Sequence, residues 1–256
     1  MNDSLQILAE HRQALLLAEV AAWLHDYRKC SEEHLQTQAR NKSPKTQAIP
    51  RNTLVEKYPH LQSVLITLEG VSRSFSDLLD DRTWQEDSLG EFLKRCHHTA
   101  HFDKQEPDDG SQDYPGSQIS SPFAYEREVP SGLTQRLWSL PWDKITSSYS
   151  AADRRDILRE ISKLFSQTVA DTRRPMNEVD LRSWGLLVGA LYKASLAGVL
   201  LAGQRPAAKD LRWRLLAVRV DGLEFISSVV RIPDLLARRE LTTNALDKVR
   251  ELIEVT

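Results

Sequence analysis

Sulfur is scarce in this chain of 256 residues, with cysteine occurring only as Cys30 and Cys96. Two thiols cannot build the bridged framework of a small secreted domain, and a chain this long has enough apolar surface to do without one. The start, MNDSLQILAE, lacks a basic segment followed by an apolar one, so no secretory signal is read there. The expected setting is therefore a reducing cytoplasm. Long apolar runs are also missing. The two longest, 14–24 and 186–201, are interrupted by Glu19 and by Tyr192, Lys193 and Ser195, and they read as buried helices rather than membrane spans. Internal repeats are absent, and 34 Lys and Arg nearly balance 36 Asp and Glu, which excludes a disordered polyelectrolyte.

What is present suits a folded core, because 41% of the residues are hydrophobic and 27% charged. The charges are unevenly placed. Residues 1–130 hold 14 basic against 21 acidic side chains, whereas residues 131–256 hold 20 against 15. An acidic front half suits a cation site, and a basic rear half suits a nucleic-acid backbone or an acidic partner; solvated faces account for most such charges in any protein.

The periodicity predicts a mainly α protein. A helix is expected over 4–28, with Ala14, Leu17, Ala21 and Leu24 as its stripe and further apolar residues on every other face, which sends its end into the interior. Residues 36–52 read as a loop. Helices are expected at 54–69 and 86–102, with Gly70 and Gly90 as local breaks. The stretch 103–130, rich in Pro, Gly, Ser and acid, reads as a linker closing a first domain, 1–130. A helical connecting region, 131–205, follows, with helices at 151–170 and 178–203; the small residues of the second, among them Gly185 and Gly189, permit close helix packing. From 211 the alternation in LRWRLLAVRVDG predicts a strand ending at Asp221-Gly222, and Pro233 opens a last helix.

All seven histidines lie within the first 101 residues. His25-Asp26 ends the buried helix, and CHHTAHFD carries His97, His98 and His101. On a helix, His97 with His101, or His98 with His101, project toward one point, as metal ligation requires. Imidazole with carboxylate suits Mn, Fe, Co, Ni or Zn. His11 lies fourteen helical residues before His25, roughly 21 Å away, and is excluded from such a site. A divalent ion there would lower the pKa of its water and neutralise a phosphate, the chemistry of phosphodiester cleavage. Spacing alone leaves a second reading open, in which His97 and His98 lie at the surface and His25 is a satisfied core residue.

The segment LLLAEVAAWLHDYRK resembles the opening helix and His-Asp doublet of the permuted HD domain at the N-terminus of the type III CRISPR effector large subunit, in the manner of its Csx-type relatives, and CHH followed by HFDK is similar to its later histidine pair. The resemblance implies an antiviral, CRISPR-associated function, with metal ligands at His25, Asp26, His97 and His98, His101 and Asp103 as neighbours, and catalytic roles for Asp26 and Lys29. It also implies a divalent transition metal, single-stranded nucleic acid as substrate, and other effector subunits with guide RNA as partners. One position departs: after the doublet the family has a small residue before lysine, whereas here Tyr27-Arg28-Lys29 follows. Arg28 either assists a bound phosphate or accompanies a degenerate site, which would leave a non-catalytic scaffold subunit.

Residues 206–256 likewise resemble the start of the family's ferredoxin-like palm, which implies a nucleotide-binding role for Asp221. No Gly-Gly-Asp-Asp-like turn follows, and one strand cannot satisfy its own backbone groups. The segment is expected to pair with a separate chain that completes the palm, or the sequence is a fragment or one part of a split subunit, and cyclic oligoadenylate synthesis is not expected from this chain alone.

Overall fold

The computed structural model of the chain describes residues 3–39, 49–100, 118–120, 126–128, 130–168, 180–214 and 222–254. It is mainly helical. Helices α1 (Asp3–Glu10), α2 (Arg12–Leu24), α3 (Glu32–Ala39) and α4 (Thr53–Lys57) lead to a hairpin of β1 (Leu65–Leu68) and β2 (Val71–Ser74). Helices α5 (Phe75–Leu78) and α6 (Ser88–Ala100) follow, then a short antiparallel pair, β3 (Gln118–Ser120) and β4 (Glu126–Glu128). The remainder is α7 (Leu133–Trp138), α8 (Ala151–Phe165), α9 (Leu181–Ala202), α10 (Gly222–Ser227) and α11 (Ile232–Glu254). One buried apolar cluster runs from Leu8 to Leu211, so residues on both sides of the expected linker share a core.

The centre of that core is the crossing of α2 and α9. Every residue of α2 from Leu15 to Leu24 is buried, as its all-round hydrophobicity demands. Trp23 lies against a notch that two glycines cut into α9. A Cβ on Gly189 would stand 2.5 Å from Trp23 Cδ1, and one on Gly185 would stand 2.9 Å from the Trp23 carbonyl oxygen. Glycine is therefore required at both positions by close approach, four residues apart on one helical face. Glu19, which interrupts the apolar run, is only 6% exposed and is held by Arg154 of α8 at 2.5 and 2.6 Å and by Lys193 of α9 at 3.2 Å. Buried charge of this kind is tolerated because it is paired. Glu32 performs a second long-range service: its carboxylate accepts from the backbone N–H groups of Leu133 and Thr134, capping α7, whose own N-cap is Gly132.

The structure departs from the helical periodicity at several points. Residues 65–74, expected within or just after a helix, form the β1–β2 hairpin. The deciding residues are Glu69 and Gly70, both at positive φ (48° and 77°) between the paired Leu68 and Val71, the backbone of a two-residue turn whose twist matches that of the strands. Ile66 and Leu68 point inward while Leu65 and Thr67 are exposed. Gly90 does not break α6; a Cβ there would stand 2.6 Å from the Trp84 backbone, so the helix needs glycine for contact. The first helix is divided at His11, although the His11 carbonyl still accepts from Leu15. It stops at Leu24, four residues before the expected end, where the chain tightens into a 3-10 turn over Tyr27–Lys29. Leu211 to Arg214 are not a strand, and the rest of that expected strand falls outside the described residues.

Helix α9 is long and apolar enough by length and composition to cross a membrane, yet one face of it packs on α1, α2, α6 and α8. Helix α11 begins at Ile232 with Pro233 in its first turn, as expected, and packs on α10. Leu236, Leu241 and Leu246 on it are exposed.

The glycine notch makes a paired prediction. Gly189→Ala should lower unfolding stability by about 1–3 kcal/mol through overpacking against Trp23. Gly198→Ala, on an open face of the same helix, should raise it by about 0.5–1 kcal/mol. Urea denaturation of the two variants checks this, and equal effects at both sites would contradict the packing account.

Candidate metal centre

The end of α2 delivers the doublet. His25 caps the helix in αR geometry, and its Nδ1–H donates to the Ala22 carbonyl at 2.6 Å, one turn back. That bond fixes the proton on Nδ1 and aims Nε2 away from the helix, where it is a lone pair whenever the imidazole is neutral. The following 3-10 turn, closed by Lys29 N–H on the Asp26 carbonyl at 2.9 Å, swings the Asp26 side chain to the same side. His25 Nε2 is 3.3 Å from Asp26 Oδ2.

Helix α6 supplies the third member. Leu89, Phe92, Leu93, Cys96 and Ala100 form its buried stripe, and His97 stands at the border of that stripe, partly exposed. Its Nδ1 is 2.9 Å from His25 Nε2, and the two rings are nearly perpendicular with centroids 5.0 Å apart. The ligand atoms of His25, Asp26 and His97 all lie within 4.8 Å of one another. Two buried indoles wall the cluster: Trp84 stands 5.8 Å and Trp184 5.3 Å from His97 by ring centroids. Helix α9 backs both histidine-bearing helices, since Tyr192 Oη donates to the Leu89 carbonyl at 3.0 Å and Cys96 meets Ser195 at 3.7 Å.

Asp26 is the electrostatic hinge of the group. Burial opposes its ionisation, but Lys29 foremost and then His25 and His97 outweigh burial, holding the carboxyl well below the usual carboxylate range. Lys29 Nζ lies 2.8 Å from Oδ2, and the Trp184 indole N–H donates to the same oxygen at 3.0 Å. The residues fit a divalent metal on two counts. Two imidazoles and a carboxylate are the donor set that Mn, Fe, Co, Ni and Zn accept. The His25 bond to Ala22 and the Trp184 bond to Asp26 are the outer contacts that orient such ligands.

The other expected members stand as follows. His98 is exposed beside His97, with centroids 5.6 Å apart, and lies outside the group of mutually close ligand atoms. Lys29 reaches the site through Asp26. His101, Asp103 and Asp221 fall outside the described residues. Trp84 and Trp184 carry no local motif that marks them in the sequence: Trp184 lies in the first turn of α9 and Trp84 in the turn that leads into α6.

Arg28 turns elsewhere. It is 9% exposed, its Nε donates to the Ile49 carbonyl at 2.7 Å, and it lines a cavity of about 230 Å³ that His25, Asp26 and His97 do not line. Burial first, and then the neighbouring Arg51, lower its pKa. Asp80 on the same cavity is brought to about 2, chiefly by hydrogen bonds from Arg82 and with help from Arg51.

Two outcomes are expected from this geometry. Calorimetric titration with Mn2+ or Zn2+ should show a bound ion that His97→Ala abolishes, and Trp184→Phe, which keeps the ring but removes the donor to Asp26, should weaken it about 10- to 100-fold. Unchanged affinity in both variants would dissolve the site. Asp80, whose folded pKa lies below its unfolded value of about 3.9, contributes stability that is present above pH ~4 and lost as pH falls toward 2. Asp80→Asn should therefore cost about 1–2 kcal/mol near pH 7 and almost nothing near pH 2, measured by urea unfolding across that range.

Compared with models of known protein families, with curated proteins and with solved structures, the chain matches none.

Proposed function

We propose that this chain is a metal-dependent phosphodiesterase of the HD type, acting on single-stranded DNA as a large-subunit-like component of a type III CRISPR effector in the cytoplasm. The observation that carries the reading is the convergence of His25 and Asp26 with His97, 72 residues later, around one point. A divalent ion held there supplies a bound water of lowered pKa and neutralises phosphate charge. The chain's own residues do the rest. Asp26 keeps its negative charge across the working pH range, as a ligand must. Lys29 stands beside it, close enough for its ammonium to meet a phosphate oxygen. Trp84 and Trp184 are too buried to stack on bases; they exclude water and strengthen the electrostatics of the cluster.

One observation favours a second reading, that of a non-catalytic scaffold with a degenerate site docking other effector subunits and guide RNA. Asp26 Oδ2 is already shared by Lys29 and Trp184, and Arg28, at the family's small-residue position, bonds to Ile49 instead of approaching the cluster. In either reading, the resemblance of residues 206–256 to the start of a palm gives Asp221 a nucleotide-binding role.

Incubation of the purified protein with labelled single-stranded DNA and Mn2+ or Ni2+ separates the readings. Metal-dependent cutting that both His25→Ala and Asp26→Ala abolish supports the enzyme, and no cutting with tight binding to effector subunits supports the scaffold. Release of phosphate from small nucleotides in place of strand cleavage would move the substrate class. Metal-free cutting indifferent to both substitutions would overturn the assignment.

A further inference from the structure

The cavity beside the 3-10 turn gathers more guanidinium donors than its own residues use. Arg28 lines it and is nine-tenths buried, with Nε committed to the Ile49 carbonyl. Its Nη1 and Nη2 have no acceptor among the described residues. Two more guanidinium groups line the same space. Arg51 reaches Asp80 and Asp81 through Nη1 alone, leaving Nε and Nη2, and Arg82 holds Asp80 through Nε and Nη2, leaving Nη1. Asp77 and Asp80 supply the carboxylates of the lining, and Asp81, which lies outside it, pairs with Arg51 as well, so charge is balanced while guanidinium donors are left over. Of the three arginines, Arg51 is partly and Arg82 largely exposed, whereas Arg28 is the one whose unused Nη donors belong to a buried residue of the lining.

We infer that this cavity is a binding site for the phosphate monoester group of a small molecule, separate from the metal cluster. Guanidinium forks match the oxygens of phosphate two at a time, and Arg28, Arg51 and Arg82 each keep N–H donors that the carboxylates around them leave unused. The size sets the rest of the ligand. At about 230 Å³ the space falls just under the range of roughly 300–1,000 Å³ usual for drug-sized ligands, enough for a phosphate with a compact body such as a pentose. Leu54, Val55 and Leu79 supply an apolar wall for that body. The same group could be presented by a free sugar phosphate or by the phosphorylated end of a nucleic-acid strand, and the free ester is the better fit to so small a volume.

The test is calorimetric titration of the full chain in EDTA, so that no metal contributes, with ribose 5-phosphate and with ribose. Ribose 5-phosphate should bind and ribose should not. Arg28→Gln should weaken binding by about tenfold or more, as loss of a charge-assisted hydrogen bond predicts, and Arg51→Gln, at a more exposed position, should weaken it in the same direction, so the test survives if the Arg28 variant fails to fold. His97→Ala should leave it unchanged. Competition by a 5′-phosphorylated oligonucleotide, with none from its hydroxyl-ended form, would assign the strand end as the source of the ester; no competition would assign the small molecule. The proposal is overturned by binding of ribose equal to that of its phosphate, by affinity indifferent to both arginine variants, by binding that requires His97, or by no binding of ribose 5-phosphate up to about 10 mM, a range in which even a millimolar site would register.

Discussion

Contact between the Trp23 indole and the two glycines of α9 is the constraint on which the rest of the molecule leans. It fixes how deeply α2 lies against α9, and that depth decides where the end of α2 arrives. His25 and Asp26 occupy that end, and Trp184, one residue before Gly185, is thereby brought within hydrogen-bonding distance of the Asp26 carboxylate. The same buried stripe of α9 holds α6 through Tyr192 and Ser195, which sets His97 beside the doublet. Packing between apolar surfaces thus does the positioning, and the polar cluster inherits its geometry from it.

Two ionic ties hold the later helices onto this frame. Glu19, buried in the middle of α2, binds α8 and α9 through Arg154 and Lys193, so the charge that interrupts the apolar run is a tie rather than a flaw in the core. Glu32 satisfies the exposed amides at the start of α7 from more than a hundred residues away. Both ties join the front of the chain to the region after 130, in keeping with a single core that runs through both.

Much of this was legible in the amino-acid order. The all-round apolar character of 14–24 announced a buried helix whose end would be interior, and the restriction of histidine to the first 101 residues pointed to the doublet and to His97. Spacing could not say which neighbour of His97 would join it; burial decided, because His98 faces solvent. The hairpin at 65–74 was obscured because Leu61, Val64, Leu65 and Leu68 recur at helical spacing while Ile66 and Leu68 alternate, and the left-handed backbone at Glu69-Gly70 decides between the two. Gly90 was misread for the opposite reason: its role is contact with Trp84, a tertiary fact invisible to local pattern. The indoles of the site were hidden likewise, since nothing local marks a tryptophan that will meet a carboxylate 158 residues away.

The short turn over Tyr27–Lys29 divides two kinds of chemistry. Lys29 faces the histidine cluster through Asp26, while Arg28, its neighbour, enters the arginine cavity. Helix α9 makes the cluster's dependence on distant residues heritable in a particular way. Alleles that disturb the cluster should gather along α9 at intervals of three and four, at Trp184, Gly185, Val188, Gly189, Tyr192 and Ser195, and geneticists mapping them would find a stripe of sensitive positions of which none belongs to the cluster's ligand atoms.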